Sequence, residues 1–430
     1  MPPTTSLPPG AAQAAHAIAS GQATPGALLA EVQDRIRLQE SRLHAFAFLP
    51  GAEALDQQAA RASRLSGGRL RGVPVAVKDV FDTADMPTAY GSAIWTGHRP
   101  RADAAAVALL RAAGAVLVGK TVTTEFASYT PGPTANPHDP ARTPGGSSSG
   151  SAAAVASGMA AAALGTQTAG SMIRPAAYCG VVGFKPSFGM IPRAGLKPLA
   201  ESFDTVGSFG RCVEDAALLA EVAAGLDAHL LPPDSAAPGF TIGLLRSDWE
   251  DEAEPAQRQA LEDAAARLRR AGIPVRELPP PGIGWLNDRQ GQAIAWETAR
   301  AFAWEGMAHP ELLSAKFREI CARGMAMTAA EHRLVWLDIA RARQAVSAMF
   351  EACDLVLTHS APGEAPRGLD ATGAPTFNRL WSVAGGPCLS LPFGHGPNLM
   401  PLGVQLAAAR GQDGLLLAAA RRAEAILAAG

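Results

Sequence analysis

Gly72-Val-Pro-Val-Ala-Val-Lys-Asp79 is the stretch from which the rest of the chain is read. Val73, Val75 and Val77 follow the Gly67-Gly68 break, so residues 73–77 predict a short buried strand ending at Lys78. Residues 103–113 then predict a helix, with Asp103 as N-cap and Gly114 as stop, and Ala115-Val-Leu-Val118 the next strand. Strand, helix, strand in that order is the pattern of a sheet with parallel pairs.

Upstream, Leu28, Leu29, Val32, Ile36 and Leu43 recur at near-helical spacing, and 52–65 is a second amphipathic stretch. Downstream, an Ala-rich helix is expected over 151–163. Strands at 241–245 and 273–277 bracket a helix at 256–270. Residues 290–352 read as helices broken near Pro310 and Gly324, with strands at 355–357, 388–391 and 403–406 and a last helix over 413–427. The expected fold class is α/β: a single large domain, 1–430, with a central mixed, mostly parallel β-sheet covered by helices on both faces. Within it we distinguish an N-terminal helical segment (11–65), a core (66–220) and a C-terminal part (240–430).

Composition narrows the function classes. The chain has 430 residues, 48% hydrophobic and 18% charged, which suits a large globular enzyme. The net charge is −2 and no basic run stands out, so no nucleic-acid partner is expected. No apolar stretch suits a membrane span, and residues 1–10 carry neither a charged nor an apolar leader region, so the expectation is a cytoplasmic protein with no membrane partner. Five scattered cysteines without a Cys-x-x-Cys pair argue against disulfides and metal, and no cofactor is expected. A homodimer is left open.

The composition turns to Pro, Gly, Ser, Thr and Asn over 130–150. Long structureless segments in compact enzymes are usually functional, although a plain linker is the alternative. Gly146-Ser-Ser-Ser-Gly150 fits G-x-S-x-G around Ser148, but the Pro-rich residues 137–144 before it cannot supply the strand that a nucleophile elbow needs. In the second small-residue turn, 165–175, Ala169 and Gly170 let backbone N–H groups converge beside Ser171, as an oxyanion hole requires; an ordinary tight turn reads the same way. A serine nucleophile needs a base. Lys78, at the end of a buried strand, would lose hydration and with it basicity, unless it sits at the surface or pairs with Asp79. His138-Asp139 is the competing base.

Together these segments resemble the amidase signature family. The resemblance rests on Gly72–Asp79, on Gly119-Lys-Thr-Val-Thr-Thr-Glu-Phe126, on the block from Thr143 to Val155, on Gly165–Ser171, and on Pro175-Ala-Ala-Tyr-Cys-Gly-Val-Val-Gly-Phe-Lys-Pro186. It is dense over 72–215 and looser at Asp204-Thr-Val-Gly207 and Pro401-Leu-Gly-Val-Gln-Leu406. It implies the amidase signature fold and catalysis by Ser171 as nucleophile, Ser147 as bridging serine after a cis peptide bond, and Lys78 as base. The 24-residue step from Ser147 to Ser171 selects the first serine of the triplet. N–H groups of Thr168, Ala169, Gly170 and Ser171 would hold the oxyanion. Two departures stand out: Gln167 where the family often has Asp with Ala169 in place of Gly, and Arg174 one position later than usual.

By that resemblance the chain is an amidase cleaving a small or medium, largely uncharged small-molecule amide, with related aryl amides, esters and carbamates in range. One alternative is the glutaminase subunit of a tRNA-dependent amidotransferase, against which Pro175 speaks. Another is a non-catalytic scaffold or binding protein on the same fold. The pocket wall is expected around 128–134, 358–364 and 377–381, with Ser128, Tyr129, Thr130, Phe377 and Trp381 as substrate contacts.

Overall fold

The computed structural model describes residues 7–65, 67–227, 229–233 and 239–429. Most of residues 1–10, on which the absence of a leader was read, and Ser66, the first residue of the expected core, lie outside them.

Eleven strands form one sheet among the described residues. In chain order they are β1 (Phe46–Phe48), β2 (Pro74–Lys78), β3 (Val116–Thr121), β4 (Ala162–Gln167), β5 (Val182–Lys185) and β6 (Thr205–Gly210). The rest are β7 (Ile242–Leu245), β8 (Val275–Leu278), β9 (Leu355–His359), β10 (Cys388–His395) and β11 (Pro401–Ala408). The spatial order is β1-β3-β2-β4-β6-β5-β10-β11-β9-β7-β8. The helices through the first half are α1 (Ala11–Ala19), α2 (Pro25–Leu43), α3 (Ala52–Ser63), α4 (Ala105–Ala112), α5 (Ser149–Ala156), α6 (Ile173–Cys179) and α7 (Val213–Ala223). They continue as α8 (Pro255–Arg270), α9 (Leu286–Ala301), α10 (Ala303–Ala308) and α11 (Ala315–Ala326). Last come α12 (Ala329–Met349), α13 (Arg379–Ala384) and α14 (Asp413–Ala428).

The sheet is mixed and helix-covered, as expected, but it is not mostly parallel. Parallel pairing joins β2 to β3 and β4, and β7 to β8 and β9. The other six pairings are antiparallel: β1–β3, β4–β6, β5–β6, β5–β10, β10–β11 and β9–β11. The parallel units are the helix-flanked ones, whose periodicity is easy to read. The antiparallel centre is built from β5 and β6, whose Gly183, Gly207 and Gly210 weaken the strand signal. These two strands, and β1 inside the expected helical segment, escape the sequence pattern.

Both faces are covered, which is why Val73 to Val77 reads as one apolar run. Val75, Val77 and Leu117 pack in one core with residues of α4, α7, α8 and α14, while Ala76, Val116 and Val118 pack in another with residues of α2, α3, α5 and α6. A third core, rich in aromatic rings, gathers α9, α11, α12 and α13.

Three local expectations need correction. Asp103 does not cap α4, whose N-cap is Ala104; its carboxylate instead accepts Ala84 N–H (2.8 Å) and pairs with Arg111 (3.0 Å). The helix expected over 151–163 is the shorter α5, ended near Gly158 (φ +76°), and its Ala-rich tail becomes β4. Gly324 does not break a helix; it lies inside α11, where a Cβ would sit 1.9 Å from Ala295 O of α9. Glycine there lets two helices touch backbone to backbone.

Candidate active site

β2 ends on Lys78 between its parallel neighbours β3 and β4. The side chain is completely buried. Its Nζ lies 2.6 Å from Ser147 Oγ and 2.8 Å from Thr166 Oγ1 of β4. Burial lowers the Lys78 pKa to about 7, opposed by attraction from Asp204. Neither alternative for Lys78 is realised: it is not at the surface, and Asp79 pairs with Lys120 (3.0 Å) instead.

Small residues make the next part possible. Gly150 of α5 packs so closely that a Cβ would lie 2.1 Å from Ala45 O and 2.5 Å from Val122 N, which brings the serine triplet against the end of β3. The Gly146–Ser147 peptide is cis. Ser148 Oγ donates to Thr166 O (3.2 Å), Ser149 Oγ to Val122 O (3.3 Å) and Ser151 Oγ to Leu164 O (2.9 Å). Those hydroxyls serve the backbone, and Ser147 is the one placed on Lys78.

Thr168, Ala169, Gly170 and Ser171 follow β4 and line one side of a small cavity of about 30 Å³. Ser171 Oγ makes no hydrogen bond among the described residues, to Ser147 or to any other group; catalytic contacts are often loose before substrate binds. The carbonyls of this turn are anchored. Thr168 O accepts from Gln290 Nε2 (3.0 Å), Ala169 O from Ser382 Oγ (2.8 Å) and Gly170 O from Arg174 N (3.1 Å). Among the described residues no acceptor takes the N–H groups of Ala169, Gly170 or Ser171. Unused N–H donors beside a hydroxyl can stabilise a developing oxyanion. Ala169 is not among the residues with positive φ, so its methyl carries no backbone strain. Gly170 is needed for close approach, since a Cβ would meet Asn378 Oδ1 at 2.5 Å.

Gln167 does a double task that an Asp could not. Its Oε1 accepts Met172 N (2.9 Å) and Ile173 N (3.1 Å) at the start of α6, and its Nε2 donates to Ser382 Oγ (3.0 Å), which in turn holds Ala169 O. Asp204, fully buried and pushed above the usual carboxylate range by that burial, accepts from Thr168 Oγ1, Leu199 N (2.6 Å) and Ala200 N (3.1 Å). Arg174 of α6 donates to Gly146 O (2.5 Å), fixing the carbonyl just before Ser147, and to Thr372 Oγ1 (3.2 Å).

The expected pocket wall is partly corrected. Ser128 and Tyr129 line the cavity together with Arg174, Leu199, Ile294 and Thr372. Thr130 does not; its Oγ1 is bound to Ser314 Oγ (2.7 Å). Phe377 and Trp381 do not line the cavity; they are core, 3% and 2% exposed, with the Phe377 ring 4.8 Å from that of His359. The segment 358–364 does not reach the cavity either. His138 makes no hydrogen bond to either serine turn among the described residues: its Nε2 lies 3.0 Å from Cys179 O, on the rim of a larger cavity of about 870 Å³ that contains none of Lys78, Ser147 or Ser171. Sequence reasoning missed Gln290, Ser382, Leu199, Ile294 and Thr372, which come from segments without a motif. Asp204 had a signal, the Asp-Thr-Val-Gly match.

No group of His, Cys, Asp and Glu among the described residues could hold a metal ion, and no described helix is long and apolar enough to cross a membrane.

Comparison with known proteins bears on the same residues. A glutamyl-tRNA(Gln) amidotransferase subunit from Cyanothece sp. is 34% identical over 87% of this chain and 88% of its own length. A solved amidase structure superposes with a TM-score of 0.89 at 32% identity, covering 97% of this chain and all of that one. A protein from a vestigial complex that bears on the origins of an s-triazine catabolic enzyme superposes with a TM-score of 0.86 at 30% identity, over 97% and 98%. The amidase family model matches residues 27–417, a span that takes in both serine turns, Lys78 and the whole sheet, and the chain belongs to that family of enzymes acting on amide C–N bonds.

Proposed function

We propose that this chain hydrolyses a carboxamide through an acyl-enzyme on Ser171, with Ser147 and Lys78 moving the proton. The observation that carries the reading is the buried Lys78 amine, its pKa lowered to about 7, placed 2.6 Å from Ser147 Oγ. Near neutral pH a large share of that amine is neutral and can accept the Ser147 proton while Ser147 takes that of Ser171. Ser171 Oγ then bonds to the amide carbon, and the oxyanion falls to the N–H groups of the 168–171 turn. The C–N bond breaks as the leaving nitrogen takes the proton back through Ser147. Water, activated by the same relay, attacks the ester and releases the acid.

A fluorophosphonate probe, which phosphonylates activated serines, tests the reading directly. Labelling of the wild-type chain that vanishes in Ser171→Ala is the expected result. Labelling that persists in that variant refutes the assignment and favours another nucleophile; a chain that never labels favours the non-catalytic scaffold.

The curated relative's name favours a second reading, in which the chain is one component of a glutamyl-tRNA(Gln) amidotransferase and works with partner proteins. The amide would then be glutamine, and its ammonia would pass to the reaction of those partners. Against it stands the cavity, which offers no carboxylate to an α-ammonium. Glutamine turnover that appears only when the partner proteins are present would decide for this second reading.

A further inference from the structure

The N–H groups of the 168–171 turn can hold an oxyanion only if their peptide planes are fixed, and those planes are fixed from the carbonyl side. A trans peptide sets its C=O and N–H on opposite sides of one plane. The cis bond among the described residues is the one before Ser147, so the peptides of this turn are trans. Thr168 O and Ala169 N–H therefore turn together, and so do Ala169 O and Gly170 N–H. Gln290 Nε2 takes the first carbonyl (3.0 Å) and Ser382 Oγ the second (2.8 Å). Gly170 O, by contrast, is held within the same stretch of chain by Arg174 N (3.1 Å). The Ala169 and Gly170 donors thus depend on side chains from outside the turn.

Gln290 is completely buried on α9, one turn before the cavity-lining Ile294. A glutamine amide has a donor end and an acceptor end, and the residue alone does not decide which end faces Thr168. Arg379 decides it. A guanidinium only donates, and Arg379 Nη1 bonds Gln290 Oε1 (3.2 Å), which leaves Nε2 toward Thr168 O. Arg379 Nη2 donates to Tyr129 OH (3.2 Å), so the guanidinium itself is held at both ends. Arg379 opens α13, and Ser382 follows three residues later on the same face. One short helix therefore supports both peptide planes, directly through Ser382 and by way of Gln290 through Arg379. A buried amide needs partners wherever it lies. Here its donor end goes to the one carbonyl whose peptide carries the unused Ala169 N–H.

Resting on the amidohydrolase reading above, we infer that Gln290 and Arg379 are positioning residues of the oxyanion hole. Arg379 sets the Gln290 amide, and Gln290 aims the Ala169 N–H at the developing oxyanion through the Thr168–Ala169 peptide. Neither side chain touches the reacting atoms, and no hydrogen bond joins either to Lys78 or Ser147 among the described residues. Their contribution falls on bond formation at Ser171 Oγ, separate from the binding that precedes it and from the proton relay.

The test uses the fluorophosphonate probe, because phosphonylation of Ser171 builds negative charge on an oxygen that takes the oxyanion's place. The maximal labelling rate and the half-saturating probe concentration are measured separately. Gln290→Met keeps length and bulk but removes both hydrogen bonds. Its maximal rate should fall by ~10- to 10²-fold, somewhat less than the loss of a whole oxyanion donor, with half-saturation within about threefold of wild type. The rise of the rate with pH near 7, set by Lys78, should stay in place. Arg379→Met should slow labelling by a smaller factor, about 3- to 10-fold. Arg379→Lys, which keeps a donor for Gln290 Oε1, should regain most of that loss. The double variant Gln290→Met/Arg379→Met should be no slower than Gln290→Met alone, since one residue acts through the other.

An unchanged maximal rate in Gln290→Met overturns the inference. So does a double variant in which the two losses multiply, or a loss that appears in half-saturation or moves the pH dependence. If Gln290→Met does not fold, the less buried Arg379 carries the test, and equal rates in Arg379→Met and Arg379→Lys overturn it. A wild-type chain that never labels overturns the serine mechanism on which the inference rests.

Discussion

Lys78 supplies the sharpest test of the mechanism because its chemistry depends chiefly on burial. An exposed lysine at its ordinary 10.5 would be neutral about 0.03% of the time at pH 7; lowered to about 7, it is neutral about half the time. Burial therefore raises the base population by roughly 10³, a differential on the order of 5 kcal/mol between the two protonation states. The sign follows: only the neutral amine accepts a proton, so kcat/KM should rise with pH, reach half its plateau near pH 7, and then level off. In Lys78→Ala the rate at pH 8 should drop by ~10²–10⁴, the usual worth of a positioned base, and the limb near pH 7 should disappear. The assay is ammonia release from a saturable amide between pH 5 and 9, with the rate of fluorophosphonate labelling as a substrate-independent check. A limb near 7 that survives in Lys78→Ala would refute the argument, because some other group would then be titrating. So would a wild-type profile flat from pH 5 to 9.

Three further outcomes follow from the surrounding contacts. Asp204→Asn removes the attraction that favours charged Lys78, so the acid limb should move to lower pH; a pH–rate profile that moves the other way contradicts the stated electrostatics. Ser382→Ala frees Ala169 O and strands Gln167 Nε2, so kcat should fall by ~10- to 10²-fold with KM little changed, read from steady-state kinetics; a change confined to KM would mean that Ser382 does not act through the 168–171 turn. Gly324→Ala adds a Cβ 1.9 Å from Ala295 O, and the overpacking cost of about 1–3 kcal/mol should outweigh the ~1 kcal/mol gained in helix propensity, lowering Tm in a thermal melt; an unchanged or raised Tm shows that α9 and α11 part freely.

The strands around Lys78 were legible because β2 and β3 are β-branched and buried on both faces, so their apolar content shows in any short window. The ends of α4 and α5 were less so. Asp103 has the composition of a cap but is drawn to Ala84 N–H and Arg111 by contacts distant in sequence, and Ala162 and Ala163, whose intrinsic preference is helical, are held in strand by pairing with β2 and β6. The antiparallel centre of the sheet stayed hidden for a related reason: glycine-bearing β5 and β6 are defined by what pairs with them.

By itself the sequence determined the family, the helix-covered sheet, and the two serine turns with their lysine, since these are local patterns whose order along the chain is specific. Tertiary structure alone decided what surrounds them. It took Phe377 and Trp381 into the core, joined Gln167 to Ala169 through Ser382 of a distant helix, and set Arg174 among groups that leave two of its donors unused. Whether a side chain is partnered depends on residues hundreds of positions away, and burial fixes its energetic consequence. No one-dimensional pattern carries that information.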